Sequence, residues 1–166
     1  SNVLTYAYLH VERNYVKVSE VVNPLVEKFP GHPYFSFLKG ELLAKIENWD
    51  ELALMMPRLE AFAASGPFLQ QNECQLKLAY IRGLKTFHHG DYATAIEKCH
   101  WMLVNYHMEF DWLKGFAHLL RGQSNDMLGK RDLAVKDYKE VLKMDDYYPE
   151  VEEAIILLKK PFVVKN

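Results

Sequence analysis

Two stretches of this chain lie over one another without a gap. IRGLKTFHHGDYATAIEKCHWML (81–103) overlays LRGQSNDMLGKRDLAVKDYKEVL (120–142), so that Arg82-Gly83, Gly90, Ala95 and Leu103 meet Arg121-Gly122, Gly129, Ala134 and Leu142. Each pair is 39 residues apart, as Gly83 is from Gly122. A period of that length is one supersecondary unit, too small to bury its own apolar face, so copies of it must stack. The frame extends backwards with more decay. Ala7, Gly40, Gly83 and Gly122 take a small position in the first helix of each unit. Twelve residues on come Ser19, Leu52, Ala95 and Ala134; sixteen on, Asn23, Met56, Cys99 and Tyr138; nineteen on, Val26, Leu59, Met102 and Val141. The unit spacings of 33, 43 and 39 place the inserts in loops between hairpins, the largest around SGPFLQQ (65–71).

Within each unit the pattern is helical. LAVKDYKEVLKM (133–144) sets Leu133, Val135, Tyr138, Val141 and Leu142 at the spacings of one helix face. Breaks fall at Pro30-Gly31-His32-Pro33, Ser65-Gly66-Pro67, Gly90-Asp91, Gly129-Lys130 and Pro149. No Asn-Gly or Asp-Gly hairpin turn occurs. A small residue in the first helix lets the second approach closely, and a Gly after it turns the chain in the left-handed conformation that other residues resist. The predicted fold is all-α, a right-handed solenoid of about eight helices in antiparallel hairpins with a C-terminal capping helix. Its units cover approximately 3–30, 33–64, 70–106 and 110–146, with the cap at 148–160, in a single domain over 1–166.

The totals exclude several function classes. A net charge of -2 leaves no basic footprint for nucleic acid, and no apolar run approaches the length of a membrane span. The chain opens on Ser1-Asn2, which need not be the natural N-terminus, so the compartment is left open with the cytoplasm favoured.

FHHGDYATAIEKCH (87–100) concentrates His, Asp, Glu and Cys, and it poses the sharpest question about chemistry. In the repeat frame Phe87-His88-His89 ends one helix, Gly90-Asp91 is the turn and Asp91 caps the next helix. Cys99 then lies about 12 Å along that helix from Asp91, too far for His88 and Cys99 to share an ion. Cys74 and Cys99 are offset by about 10 Å across their hairpin, beyond disulfide reach. Glu109 and Asp111 are read as acids before a helix. There is no phosphate loop, no nucleophile elbow and no zinc-protease motif. The expectation is no enzyme, no cofactor and no metal site.

The spacing G-x6-G-x4-A-x3-aromatic, in Gly122, Gly129, Ala134 and Tyr138, resembles the tetratricopeptide repeat. Gly83, Gly90, Tyr92 and Ala95 resemble a second copy, with Cys99 at the aromatic position. Trp49 stands where the family often has Tyr, and Pro33 and Pro149 resemble its closing proline. The likeness covers most of the chain, although Leu52 replaces a small residue and Glu47 replaces the turn Gly. The resemblance implies a concave groove lined by the first helix of each hairpin. The first repeat would contribute Leu4 and Tyr8, the second Tyr34, Phe37 and Glu41. The third would contribute Lys77, Tyr80, Leu84, Phe87 and His88, and the fourth Phe116, Leu119, Gln123 and Asp126. Such a groove would hold an apolar or aromatic-rich protein or peptide segment, because aromatic anchors bury much area at little entropic cost. The Lys and Asn clamp with which some members grip acidic chaperone tails is missing at these positions. Two alternatives stand beside this reading. One is a purely architectural segment of a larger protein or assembly; the other is a helical enzyme built on His88, His89, Asp126 and Lys77. Self-association is left open.

Overall fold

The computed structural model describes residue 5, residues 7–145 and residues 148–164. Ser1, Asn2 and Leu4, which the sequence reading used, lie outside the described residues, as does the side chain of Ala7. The described residues form a π-helical segment, Ala7–Val11, and eight α-helices with no strand. The helices are α1 (Tyr15–Lys28), α2 (Pro33–Lys45), α3 (Trp49–Ala64), α4 (Phe68–His88), α5 (Tyr92–Val104), α6 (Trp112–Met127), α7 (Arg131–Val141) and α8 (Pro149–Lys159). The chain divides into two compact parts, Ser1–Ile81 and Arg82–Asn166, with the division inside α4. In the first, α1 packs on the π segment and α2, and α2 packs on α3. In the second, α5 packs on α6, α6 on α7, and α8 on both α7 and α6. None of these helices is long and apolar enough to cross a membrane.

One turn closes three hairpins. Glu47, Gly90 and Gly129 sit seven residues after Gly40, Gly83 and Gly122, and their φ angles are 58°, 79° and 71°. The next residue's N–H reaches back five residues each time: Asn48 to Leu43 O (2.9 Å), Asp91 to Thr86 O (2.9 Å) and Lys130 to Asn125 O (2.8 Å). This is the left-handed ending that satisfies a helix's last carbonyls. Asn48 and Asp91 then cap the following helix, accepting from Glu51 N (3.3 Å) and Thr94 N (3.1 Å). The second repeat therefore makes the turn without its glycine.

The small positions do what close packing requires. A methyl group on Gly40 would lie 2.9 Å from Leu59 Cδ1 and 3.1 Å from Ile81 Cδ1. One on Gly83 would meet Leu120 Cδ2 at 3.3 Å, and one on Gly122 would run into the Tyr138 ring, with Cδ1 at 2.9 Å. Leu52 is accommodated because Leu59, not Leu52, makes the nearest approach to Gly40.

Two expectations are corrected. In the first repeat the positive φ falls at Arg13, six residues after Ala7, and Asn14 is the cap. Val18, Val22 and Val26 are buried while Ser19 is half-buried and Asn23 is exposed. The i, i+4, i+8 valine stripe sets that helix's inward face; Val26 keeps its frame position, while Val18 and Val22 stand one residue ahead of Ser19 and Asn23. The insert at 65–71 is also not a loop beyond Pro67. Phe68 onwards is helical, and the extra residues lengthen α4 to 21 residues.

Candidate peptide-binding surface

In the first part, Pro33 opens α2, where its missing N–H costs nothing, and the helix then carries Tyr34 and Phe37 one turn apart. Gln70, Glu73, Cys74 and Lys77 follow at helical spacing along α4. These residues, with His32 and Pro33, line a recess of about 120 Å³. Lys77 Nζ pairs with Glu73 Oε1 at 2.5 Å and stands 5.3 Å from the centre of the Tyr34 ring. Burial, helped by the carboxylates of Glu41 and Glu73, raises the Tyr34 hydroxyl above its ordinary range. Burial likewise raises the Cys74 thiol, keeping it protonated.

Of the residues expected here, Tyr34, Glu41 and Lys77 are partly exposed, whereas Phe37 and Tyr80 are buried. Glu41 lies deeper, with Oε1 3.6 Å from His10 Nε2 and 3.7 Å from Lys45 Nζ. Tyr8 packs instead beside the cluster of Leu9, Val18, Val22, Val26 and Leu42. Lys17 Nζ sits over its ring at 4.7 Å.

In the second part the chain itself packs over several of the expected groove positions. Leu84, Phe87 and Phe116 are buried, and His88 is exposed beside Phe87. The Phe87 ring lies 5.3 Å from Tyr92 and 5.7 Å from Phe162, which follows α8. Gln123 Nε2 donates to Glu153 Oε1 of α8 at 2.9 Å. Leu119 shares an apolar cluster with Val151, Ala154 and Leu157, against which Phe162 packs. The fully buried Asp126 carboxylate accepts from Arg131 (3.0 Å), the Tyr138 hydroxyl (2.8 Å) and the Phe162 N–H (2.8 Å). Arg131 Nη2 also donates to Leu157 O (2.6 Å) and Leu158 O (3.0 Å), tying down the end of α8.

Sequence reasoning gave no role to Arg131, Glu153 or Phe162. The repeat frame stops at α7, and nothing in the period marks a segment that returns to it. The visible signal was local: an aromatic directly after Lys160-Pro161, where helix α8 has to end.

Asp91 is an exposed cap whose carboxyl is held below its ordinary range by hydrogen bonds from Thr94. His89 Nδ1–H donates to Lys85 O at 2.7 Å. Asp111 precedes α6 as expected, but its side chain pairs with Lys114 at 2.8 Å rather than capping the helix. Asp137 accepts from His118 Nδ1 (2.9 Å) and from Arg121 in a forked pair (2.7 and 3.1 Å). Cys99 is close enough to feel both Arg121 and Asp137, yet complete burial pushes its thiol up to about 12. That thiol is no thiolate nucleophile at neutral pH. Among the described residues no three His, Cys, Asp or Glu stand together to hold a metal ion. No family model matches this chain, and neither a curated protein nor a solved structure matches it.

Proposed function

We propose that this chain is a non-catalytic scaffold that binds a protein or peptide segment along the first helices of a tetratricopeptide-like solenoid. The observation that carries the reading is the recess on α2 and α4. Three of the positions expected to face a groove, Tyr34, Phe37 and Lys77, line it together. Its 120 Å³ is well under the roughly 300 Å³ at which small-molecule pockets begin. A space of that size suits one side chain of an extended segment. Phe37 and Pro33 offer it an apolar wall, while Tyr34 and the Glu73–Lys77 pair offer polar edges.

The test is selection from a displayed peptide library by the wild type and by a Tyr34→Ala/Lys77→Ala variant, with circular dichroism on both. Neither residue is fully buried, so the variant is expected to stay folded. A peptide class enriched by the wild type and lost by the folded variant supports the reading. Equal enrichment by both, or none by the wild type, counts against it.

The architectural reading has one observation of its own. α8 leaves Ile155 and Ile156 exposed, and Val163 and Val164 beyond it are exposed too. Apolar surface of that kind is typical of a contact face. Sedimentation of the isolated chain separates the two readings, since the architectural one expects concentration-dependent association without peptide binding.

A further inference from the structure

We infer that the outer face of α8 is a self-association surface whose partner is the α8 of a second copy of this chain, packed antiparallel about a two-fold axis between Ile155 and Ile156. The contact uses different residues from the recess on α2 and α4 and does not depend on peptide binding there. It rests on the architectural reading, in which the exposed isoleucines of α8 are a contact face, and it names what covers them.

The inner face of α8 is already used. Val151, Ala154 and Leu157 belong to the buried cluster that also holds Leu119, Ala134, Tyr138 and Val141. Glu153 turns to Gln123, whose Nε2 donates to its Oε1 at 2.9 Å. The outer face is a stripe of four exposed residues, Glu152, Ile155, Ile156 and Lys159, at the i, i+3, i+4, i+7 spacing of one side of a helix. Ile155 is 43% and Ile156 59% exposed, with an acid one turn before them and a base one turn after. The order of charges decides what can cover them. A two-fold axis between positions 155 and 156 carries 155 onto 156 and 152 onto 159. Laid antiparallel on a second copy, the stripe sets isoleucine against isoleucine and Glu152 against the other copy's Lys159, and the symmetry makes each contact twice. The seven residues from Glu152 to Lys159 span about 10 Å, so both ion pairs flank the apolar contact in register. Laid parallel, the same stripe would set Glu152 against Glu152 and Lys159 against Lys159, like charges facing like. The face is therefore complementary to its own antiparallel image, and an interface of that symmetry closes at two copies.

One helix pair is smaller than a standard interface, so the dimer is expected to dissociate with a Kd on the order of 100 µM. Sedimentation equilibrium of the full chain across that range reads it, with circular dichroism on every variant. The variants are Glu152→Lys, Lys159→Glu, the two together, and Ile155→Ser/Ile156→Ser. All four positions are exposed, so each variant is expected to keep its helical signal. The wild type should pass from monomer to dimer and no further. Each single reversal turns both ion pairs into like-charge contacts and should raise Kd by about fivefold. The double reversal restores opposite charges without changing net charge, and should return Kd to within about twofold of the wild type. The isoleucine variant should stay monomeric. Should a charge reversal, which opposes the helix dipole, cost helical signal, the isoleucine variant still decides. A wild type that stays monomeric, one that assembles beyond the dimer, or a double reversal no better than the singles overturns the inference. Association that every variant leaves unchanged also overturns it, yet leaves the architectural reading standing, because the chain would then associate through another surface. Tyr34→Ala/Lys77→Ala should dimerise like the wild type, so failure of the peptide site is read separately.

Discussion

Glu47 holds a conformation, φ 58°, that its two counterparts reach with glycine. A side chain there costs about 1 kcal/mol relative to glycine. Glu47→Gly is therefore expected to raise stability by about 0.5–1 kcal/mol, measured by urea unfolding. The glycines of the last hairpin separate two reasons for the same residue. Gly122 lies against the Tyr138 ring, and Gly129 has φ 71° with nothing within 4 Å of its absent Cβ. Gly122→Ala should cost about 3 kcal/mol, because the ring and its hydroxyl bond to Asp126 must move. Gly129→Ala should cost only about 1 kcal/mol of backbone strain. Unfolding of the pair in parallel checks the difference.

At the scale of the helix, two prolines stand inside regular helices, Pro24 in α1 and Pro57 in α3. Both are exposed, so the carbonyls deprived of a donor can turn to water. Pro57→Ala is expected to stabilise the protein by about 1–3 kcal/mol, read from the unfolding midpoint, because a helix-interior proline costs about 3 kcal/mol and a stiffer unfolded chain offsets part of that. The sequence made these helices legible where two signals coincided. Gly90-Asp91 and Gly129-Lys130 marked turns that the backbone makes, and Pro33 and Pro149 open α2 and α8. Where one signal stood alone, the reading slipped. Small Ser19 was favoured over Val18, although burial of an apolar stripe outweighs conformity to a repeat frame. The 65–71 insert looked like a loop because Gly66-Pro67 ends one helix, yet the same proline sits just ahead of Phe68, where the next begins. For the aromatic positions expected to line a groove, the sequence shows the spacing but not the surroundings. Phe37, Tyr80, Phe87 and Phe116 are all buried, and whether a first-helix face is open depends on what returns to cover it. Helical periodicity carries no information about Phe162 meeting Phe87, a contact between residues 75 positions apart.

At the scale of the whole chain, stability should depend on pH through His10. Burial lowers its pKa to about 4 from 6.5, a direction that Lys45 and Arg13 reinforce and Glu41 opposes. The folded value lies below the unfolded one, so the unfolded chain takes up the proton first as pH falls. The contribution of neutral His10 is complete above about pH 6.5 and is lost as pH falls from there toward 4. Its full size is about 3 kcal/mol. His10→Leu should flatten stability in that window, which urea unfolding at pH 7 and pH 4.5 would show. The central claim, that the face carrying Tyr34 and Lys77 binds a polypeptide segment, is tested most directly by mapping where a selected peptide sits. A photo-reactive phenylalanine replacing Tyr34 in the full chain, irradiated with the enriched peptide and analysed by mass spectrometry, gives that position. The account predicts a cross-link to the peptide that unlabelled peptide competes away and that the same reactive group placed at exposed Leu54 does not form. A cross-link from Leu54 and none from position 34 would contradict it.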